Sequence, residues 1–458
     1  MSDEDFLRRL KVALRGDADA PLVFLGNFEV EDRWAEDEPG LPRFSMRSAG
    51  AVVDRMDEFA VLLAGEDDHV ILKGRPDEDY LTYLSDLGVG LPRVLAVGEQ
   101  RPGRTVTQDV LADPALVARL GELQAEGACL LPHGVSEQEE SLASASGMAV
   151  AGSSAKICKA VNSKIYSRLL ADEAGLRQPT GWTCPDVDSW DGAVRGARAV
   201  LADGGTIAVK DAFGVSGKGI MVIRDEQVLL HLDRKLRRRA ERTGDGRLTL
   251  TVETWVGKRA DLNYQLTVGR DGSVGFDFVK EAITVDGVHK GHRMPADLSA
   301  AQHEEIRAAA QAVGRRLAAD GYLGVVGVDG LVGTDGRLFP VIEINARSNM
   351  STYQVRLQEA FLSEGRHAMA AQYPLRLGGR LEFWRLRAAL GELLATRVQD
   401  TGVLINNFAT VNAAADEGPA PFHGRLYALL VAGSPDELAV LDEQLRHRLA
   451  GVAEATAA

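Results

Sequence analysis

Residues 323–350, LGVVGVDGLVGTDGRLFPVIEINARSNM, constrain the fold of this chain more than any other stretch. Their pattern predicts a β-hairpin. Val325, Val326, Val328, Leu331 and Val332 form one strand, and Phe339, Val341, Ile342 and Ile344 form the other. Thr334-Asp335-Gly336-Arg337 supplies the turn, where glycine reaches positive φ without steric cost. Asp329 and Glu343 are nearly symmetric about that turn and are expected to oppose each other on one face. Strand alternation adds Asn345 to the same face. Opposed residues of an antiparallel pair hold their Cβ atoms roughly 5 Å apart. With an effective dielectric of about 20, two like charges there repel by about 3 kcal/mol. Two arrangements relieve the repulsion. A divalent cation such as Mg²⁺ bridges carboxylates to phosphate oxygens, or the carboxylates turn to solvent or pair with lysine or arginine.

The 458 residues are long enough for two to four domains with real cores. A net charge of −14 argues against a broad nucleic-acid surface and leaves room for a local basic cleft. Cys129, Cys158 and Cys184 have no metal-ligand spacing and build no disulfide framework, which fits a reducing cytoplasm. MSDEDFLRRL at the start is acidic and lacks a signal-peptide core. No apolar run approaches the roughly 18 residues of a membrane span.

Residues 1–150 alternate strand and helix, as an α/β domain with a parallel sheet does. PLVFL (21–25) is a strand running into Gly26-Asn27, residues 48–63 are a helix, and Asp113-Pro114 opens another as N-cap and first helical residue. Residues 154–174 read as one helix carrying Lys156, Lys159 and Lys164, for which a solvated face is one reading. Next comes TIAVKDAFGVSGKGIMVIRD (206–225), a strand, a glycine-rich loop and a second strand. Lys210 lies in the middle of the first, apolar strand and needs an anionic partner. The loop Gly214-Val215-Ser216-Gly217-Lys218-Gly219 can aim backbone N–H groups at phosphate, or it is a plain hairpin tip. It is not a Walker A loop, because Gly219 stands where that motif needs Ser or Thr.

LTLTVETWV (248–256) is a strand followed by DLNYQLT (261–267). The run from His289 to Arg293 reads as a loop, either anion-binding or solvated. Ser299 and Gln302 form a capping box for a helix reaching Ala319. Residues 351–372 read as helical. From Leu375 a small α+β unit follows, with strands at GVLINNFATV and GRLYALLV and a final helix opened by Ser434-Pro435-Asp436-Glu437.

In this order, Lys164 on a helix, Lys210 before the glycine loop, Glu253–Val256 with Asp261, and Asp329, Glu343, Asn345 and Arg347 around the hairpin resemble the ATP-grasp ligase superfamily. The resemblance implies an ATP-grasp fold, mixing α/β and α+β. Its parts are an α/β pre-ATP-grasp domain over 1–150, an ATP-grasp domain over 151–374 and a small α+β C-terminal domain over 375–458. It implies that Lys164 and Lys210 contact ATP phosphates under a loop holding Gly214, Ser216, Gly217, Lys218 and Gly219. Glu253, Trp255 and Val256 match the adenine segment and Asp261 the ribose carboxylate. Asp329, Glu343 and Asn345 match ligands of Mg²⁺ (or Mn²⁺). Many amide-forming members carry an arginine two residues before the first metal carboxylate. Gly327 stands there, so phosphate stabilisation falls to Arg347, Arg293 or another group, with Lys210 alongside.

Within the superfamily, PLVFLGNFEVED, KGHRMP, EINARSNMSTYQ, LINNFATVNA and GRLYALLVAG resemble the peptide ligases of pheganomycin-type biosynthesis. That likeness implies joining of an amino-acid carboxylate to the amine of an amino acid or peptide. A carboxylate–thiol ligase, a kinase and a non-catalytic nucleotide-binding protein are the alternatives. The C-terminal part is expected to recognise peptide or to build a homodimer.

Overall fold

Short apolar strands separated by helices demand a covered parallel sheet, and the first part of the chain builds one. The computed structural model describes residues 5–41, 50–101, 103–214, 219–285, 288–363, 365–397 and 400–457. Strands β1 (Leu22–Leu25), β2 (His69–Leu72), β3 (Arg93–Ala96) and β4 (Cys129–Pro132) pair in the order β3-β2-β1-β4, all parallel. Asp113 caps the helix Pro114–Ala125 as expected, accepting the Leu116 N–H at 3.1 Å. The single helix expected over 48–63 is instead broken into Gly50–Asp54, a 3₁₀ turn Met56–Phe59 and Ala60–Leu63; residues 48 and 49 lie outside the described residues.

A second sheet holds β5 (Gly181–Asp186), β6 (Ile207–Asp211), β7 (Ile220–Ile223) and β8 (Arg247–Thr254) in the antiparallel order β5-β8-β6-β7. Ile207, Val209 and Val252 bury one face against the helices Val187–Ala202 and Glu226–Thr243. The other face of β6 carries Lys210. The helix expected over 154–174 is two helices, Ala155–Val161 and Lys164–Glu173. Ser163 between them accepts the Ile165 N–H at 3.2 Å and caps the second, which puts Lys164 at a helix start rather than mid-face.

The third sheet has eight strands in the order β13-β12-β9-β10-β11-β14-β16-β15. These are β9 (Lys258–Val268), β10 (Val274–Val285), β11 (Val288–Met294), β12 (Gly324–Gly333), β13 (Leu338–Asn345), β14 (His367–Leu377), β15 (Gly402–Asn407) and β16 (Phe422–Ala432). The helix Ala300–Ala319 buries Ile306, Ala310, Val313 and Leu317 beneath it, and its Ser299–Gln302 capping box forms. The run from His289 to Arg293, expected as a loop, is strand β11: its backbone is held between β10 and β14, which the polar sequence conceals. The helix expected over 351–372 ends at Phe361, and residues 367–372 open β14. The boundary expected at 374 therefore falls inside a strand, and β14, β16 and β15 continue the central sheet. Among the described residues no helix is long and apolar enough to cross a membrane.

Candidate active site

The hairpin forms as expected. β12 and β13 pair antiparallel with Asp329 opposite Glu343 and Gly327 opposite Asn345, and Gly336 takes φ 79° in the turn. Both carboxylates reach the floor of a cavity of about 280 Å³ between the second and third sheets. Asp329 accepts Asn263 Nδ2 at 2.9 Å and Asn345 Nδ2 at 3.1 Å. Burial, and then the charge of Glu343, push its carboxyl up to about 6. The counter-charge at Glu343 is Lys164, whose Nζ lies 2.6 Å from Oε1 and 3.1 Å from the Gly214 carbonyl. Of the two reliefs considered from sequence, the lysine pairing is therefore present. Two carboxylates and a carboxamide on one face are hard oxygen donors, and the set fits Mg²⁺ or Mn²⁺.

Lys210 pairs with Glu253 across the second sheet, and Arg168 Nη1 stands 3.7 Å from the other Glu253 oxygen. Trp255 and Val256, between β8 and β9, form one wall. The Thr254 and Trp255 N–H groups donate at 2.8 Å to the carbonyls of Thr180 and Thr206, which fixes that connection. Asp261 sits farther along β9 against Lys258 and Thr284. Arg347 leaves the end of β13 and is clasped by Glu31, with Nε donating at 2.8 Å, and its Nη2 donates to Asn345 Oδ1 at 3.1 Å. Glu31 lies on the helix Val30–Trp34 that follows β1, so the first sheet supplies one wall of the cavity.

The structure thus brings together Lys164, Lys210, Gly214, Glu253, Trp255, Val256, Asp261, Asp329, Glu343, Asn345 and Arg347 around one cavity. Ser216, Gly217 and Lys218 lie outside the described residues. Gly219 resumes the chain with φ 86° just before β7 and is not among the cavity's lining residues. Arg293 is not brought there either. On β11 it pairs with Glu281 at 3.3 Å and is half exposed, while His292, the next residue along and hence on the opposite face, lines the cavity.

Sequence reasoning missed Glu31, Asn263 and Asn349, which line the cavity, whereas His292 belongs to the 289–293 run read as anion-binding or solvated and lines it as well. Only Asn263 carried a readable signal, since it shares the alternating face of Asp261 on one strand.

Asn349 accounts for Gly327. A Cβ at Gly327 would stand 2.2 Å from Asn349 Nδ2, so the carboxamide fills the space into which a side chain at 327 would begin. That Nδ2 is itself buried without a hydrogen-bond partner among the described residues. We expect Gly327→Ala to destabilise the protein by about 1–3 kcal/mol in urea unfolding, the scale of overpacking. An unchanged midpoint shows instead that the amide moves aside freely.

Lys280 on β10 is 1% exposed, and its Nζ donates to the Ser351 carbonyl at 2.8 Å and lies over the Phe278 ring. It tethers the segment after Arg347 from below. Burial holds its ammonium well below the usual lysine range. The unfolded chain therefore binds more protons between the lowered and the ordinary value, and stability rises with pH across that window. Lys280→Met is expected to remove that rise and to stabilise the protein most at the acidic end of the window. Urea unfolding at about pH 7 and about pH 9 measures both effects.

Residues 56–148 match the family described as the Pre ATP-grasp domain, and residues 164–353 match the carbamoyl-phosphate synthase L chain, ATP binding domain. The [Butirosin acyl-carrier protein]–L-glutamate ligase of Niallia circulans is 25% identical over 323 residues, 70% of this chain and 71% of that protein. A biotin carboxylase–β,γ-ATP complex from Campylobacter jejuni superimposes with a TM-score of 0.55 at 15% identity, covering 92% of this chain and 89% of that one. An N5-carboxyaminoimidazole synthetase from Staphylococcus aureus complexed with ADP gives 0.52 at 12% identity, covering 93% and 97%. At such identities the structural likeness speaks for the fold alone.

Proposed function

Because this chain belongs to the ATP-grasp ligase superfamily, with a pre-ATP-grasp domain ahead of its ATP-binding domain, we propose that it is an ATP-dependent carboxylate–amine ligase that forms peptide bonds. The observation that carries the reading is the facing pair Asp329 and Glu343 with Lys164, Lys210 and Arg347 around one cavity. In this reading residues 1–150, 151–374 and 375–458 are the pre-ATP-grasp, ATP-grasp and C-terminal parts, the last two sharing strand β14 and the central sheet. The relative named as an acyl-carrier protein–L-glutamate ligase supports the joining of an amino-acid carboxylate to an acceptor, and its carrier-protein acceptor is also what a carboxylate–thiol ligase would use.

The chemistry follows from charge. A carboxylate oxygen of the acid attacks the γ-phosphorus of ATP, and ADP leaves with the bonding pair. The amine then attacks the acyl phosphate carbon, and phosphate leaves. Asp329, Glu343 and Asn345 would hold Mg²⁺ or Mn²⁺, which neutralises phosphate charge when bound. Lys164 and Lys210 hold the phosphates, exchanging their present carboxylate partners for phosphate oxygens. Glu253, Trp255 and Val256 receive the adenine and Asp261 the ribose. Arg347, held by Glu31, faces the transferring phosphate, where a fixed guanidinium stabilises developing charge without reorganising.

A mass-spectrometric screen of amino acids against peptides with ATP tests the proposal. It predicts a condensed product with equimolar ADP and phosphate. ADP release with a phosphorylated acid and no amide would make the protein a kinase. Thiol-dependent turnover would make it a carboxylate–thiol ligase, and nucleotide binding without turnover would make it a non-catalytic binder.

A further inference from the structure

A second cavity, of about 480 Å³, opens where the first sheet meets the C-terminal part, and it shares no lining residue with the nucleotide cavity. Lys73, the residue after β2, lies on its wall, so it sits outside the carboxyl ends of parallel strands, where open α/β sheets present ligand crevices. Aromatic rings stand between the two cavities. Phe59, next in sequence to Glu58 of the second, and Tyr353, three residues beyond Met350 of the first, hold their ring centroids 6.2 Å apart.

Most charges here are spoken for. Lys73 Nζ lies 3.3 Å from Asp54 and 3.5 Å from Asp109 and also donates to the Arg104 carbonyl. Arg380 pairs with Asp416. Among the described residues four charged groups of its lining are not, Arg75 and Glu417 at exposed positions and Arg55 and Glu58 deeper in. Arg55, half-buried, has no hydrogen-bond or ion-pair partner for its guanidinium among the described residues, its Nε is buried, and its charge acts at longer range on Asp57 and Glu58. Glu58 is 1% exposed; its Oε2 accepts the Phe408 and Ala409 N–H groups at 2.7 Å, and its Oε1 has no hydrogen-bond partner among the described residues. Glu417, exposed on the same lining, adds a like charge that raises the Asp54 carboxyl, against which Lys73 works from 3.3 Å.

A guanidinium without a hydrogen-bonded partner calls for a carboxylate, and the unpartnered carboxylate oxygens of Glu58 and Glu417 call for an ammonium. Both lie on the wall of a cavity large enough for a small peptide. We infer that this cavity binds a zwitterion, a free amino acid or short peptide, with its carboxylate on Arg55 and its ammonium on the Glu58 and Glu417 carboxylates. The site is separate from the nucleotide cavity and does not depend on the ligase reading.

The test is isothermal titration of the full chain, without ATP, with the common amino acids and with glycyl dipeptides. At least one is expected to bind saturably. N-acetylation or C-amidation of that probe should weaken it about tenfold or more, and Arg55→Gln about thirtyfold, the loss of a charge-assisted bond. Glu417→Gln, at an exposed position, should weaken it less and keeps the test open should Arg55→Gln fail to fold. No binding up to about 10 mM overturns the inference. So does equal binding of the blocked derivatives, or binding unmoved by both substitutions. Because ATP is absent, such a failure leaves the nucleotide site untouched.

Discussion

Glu343→Ala is expected to abolish turnover, by at least about a thousandfold, or some 4 kcal/mol of transition-state stabilisation. The substitution should also remove the Mg²⁺ dependence of nucleotide binding. Its effect on the ligand-free protein should be small, because two changes oppose each other. Asp329 loses a like charge directly across the hairpin. Lys164 loses its carboxylate partner at 2.6 Å and keeps only the Gly214 carbonyl. Calorimetric titration of ATP with and without Mg²⁺, beside a urea unfolding curve, separates the two effects. A variant that keeps normal turnover would show that the facing carboxylates are an ion-pair platform and nothing more.

Arg347→Ala is expected to cut turnover about a hundredfold to a thousandfold, as loss of one fixed donor to a developing oxyanion does. Here stability suffers as well. The arginine and Glu31 are only 12% and 19% exposed in their side chains, and Arg347 carries bonds to Asn345 and Ser348 besides. Removing one partner of a buried pair costs about 3–5 kcal/mol. The double variant Arg347→Ala/Glu31→Gln should recover much of that stability and none of the activity. If activity returns together with stability, Arg347 is a strut between the first sheet and the hairpin and has no role at the phosphate.

The hairpin was readable because it is local. Alternating apolar residues and one glycine turn set its register, and Asp329 meets Glu343 as the pattern requires. Lys210 was readable for a related reason, since a lysine inside an apolar strand must have a partner, and Glu253 provides it. What escaped depends on pairing across long stretches of chain. Lys164 reaches Glu343 over 179 residues and Arg347 reaches Glu31 over 316, and neither partner marks the other in sequence. β14 was hidden because HAMAAQY has the composition of a helix, and the vacant edges of β11 and β16 override that propensity. β11 was hidden for the opposite reason. Its His-Lys-Gly-His-Arg run looks like a loop, and its backbone pairs with β10 from His289 and with both β10 and β14 from Gly291 to Arg293. Asn349 escaped because its role is to fill the space above Gly327, a matter of shape that no spacing encodes.

The proposed chemistry makes one atom traceable. If a carboxylate is activated as an acyl phosphate, one of its oxygens must leave with the phosphate. With the acid found by the screen labelled by heavy oxygen in its carboxylate, the ligase reading predicts one labelled oxygen in the phosphate released, with ADP as the other product. Unlabelled phosphate, or label appearing in AMP, would contradict it.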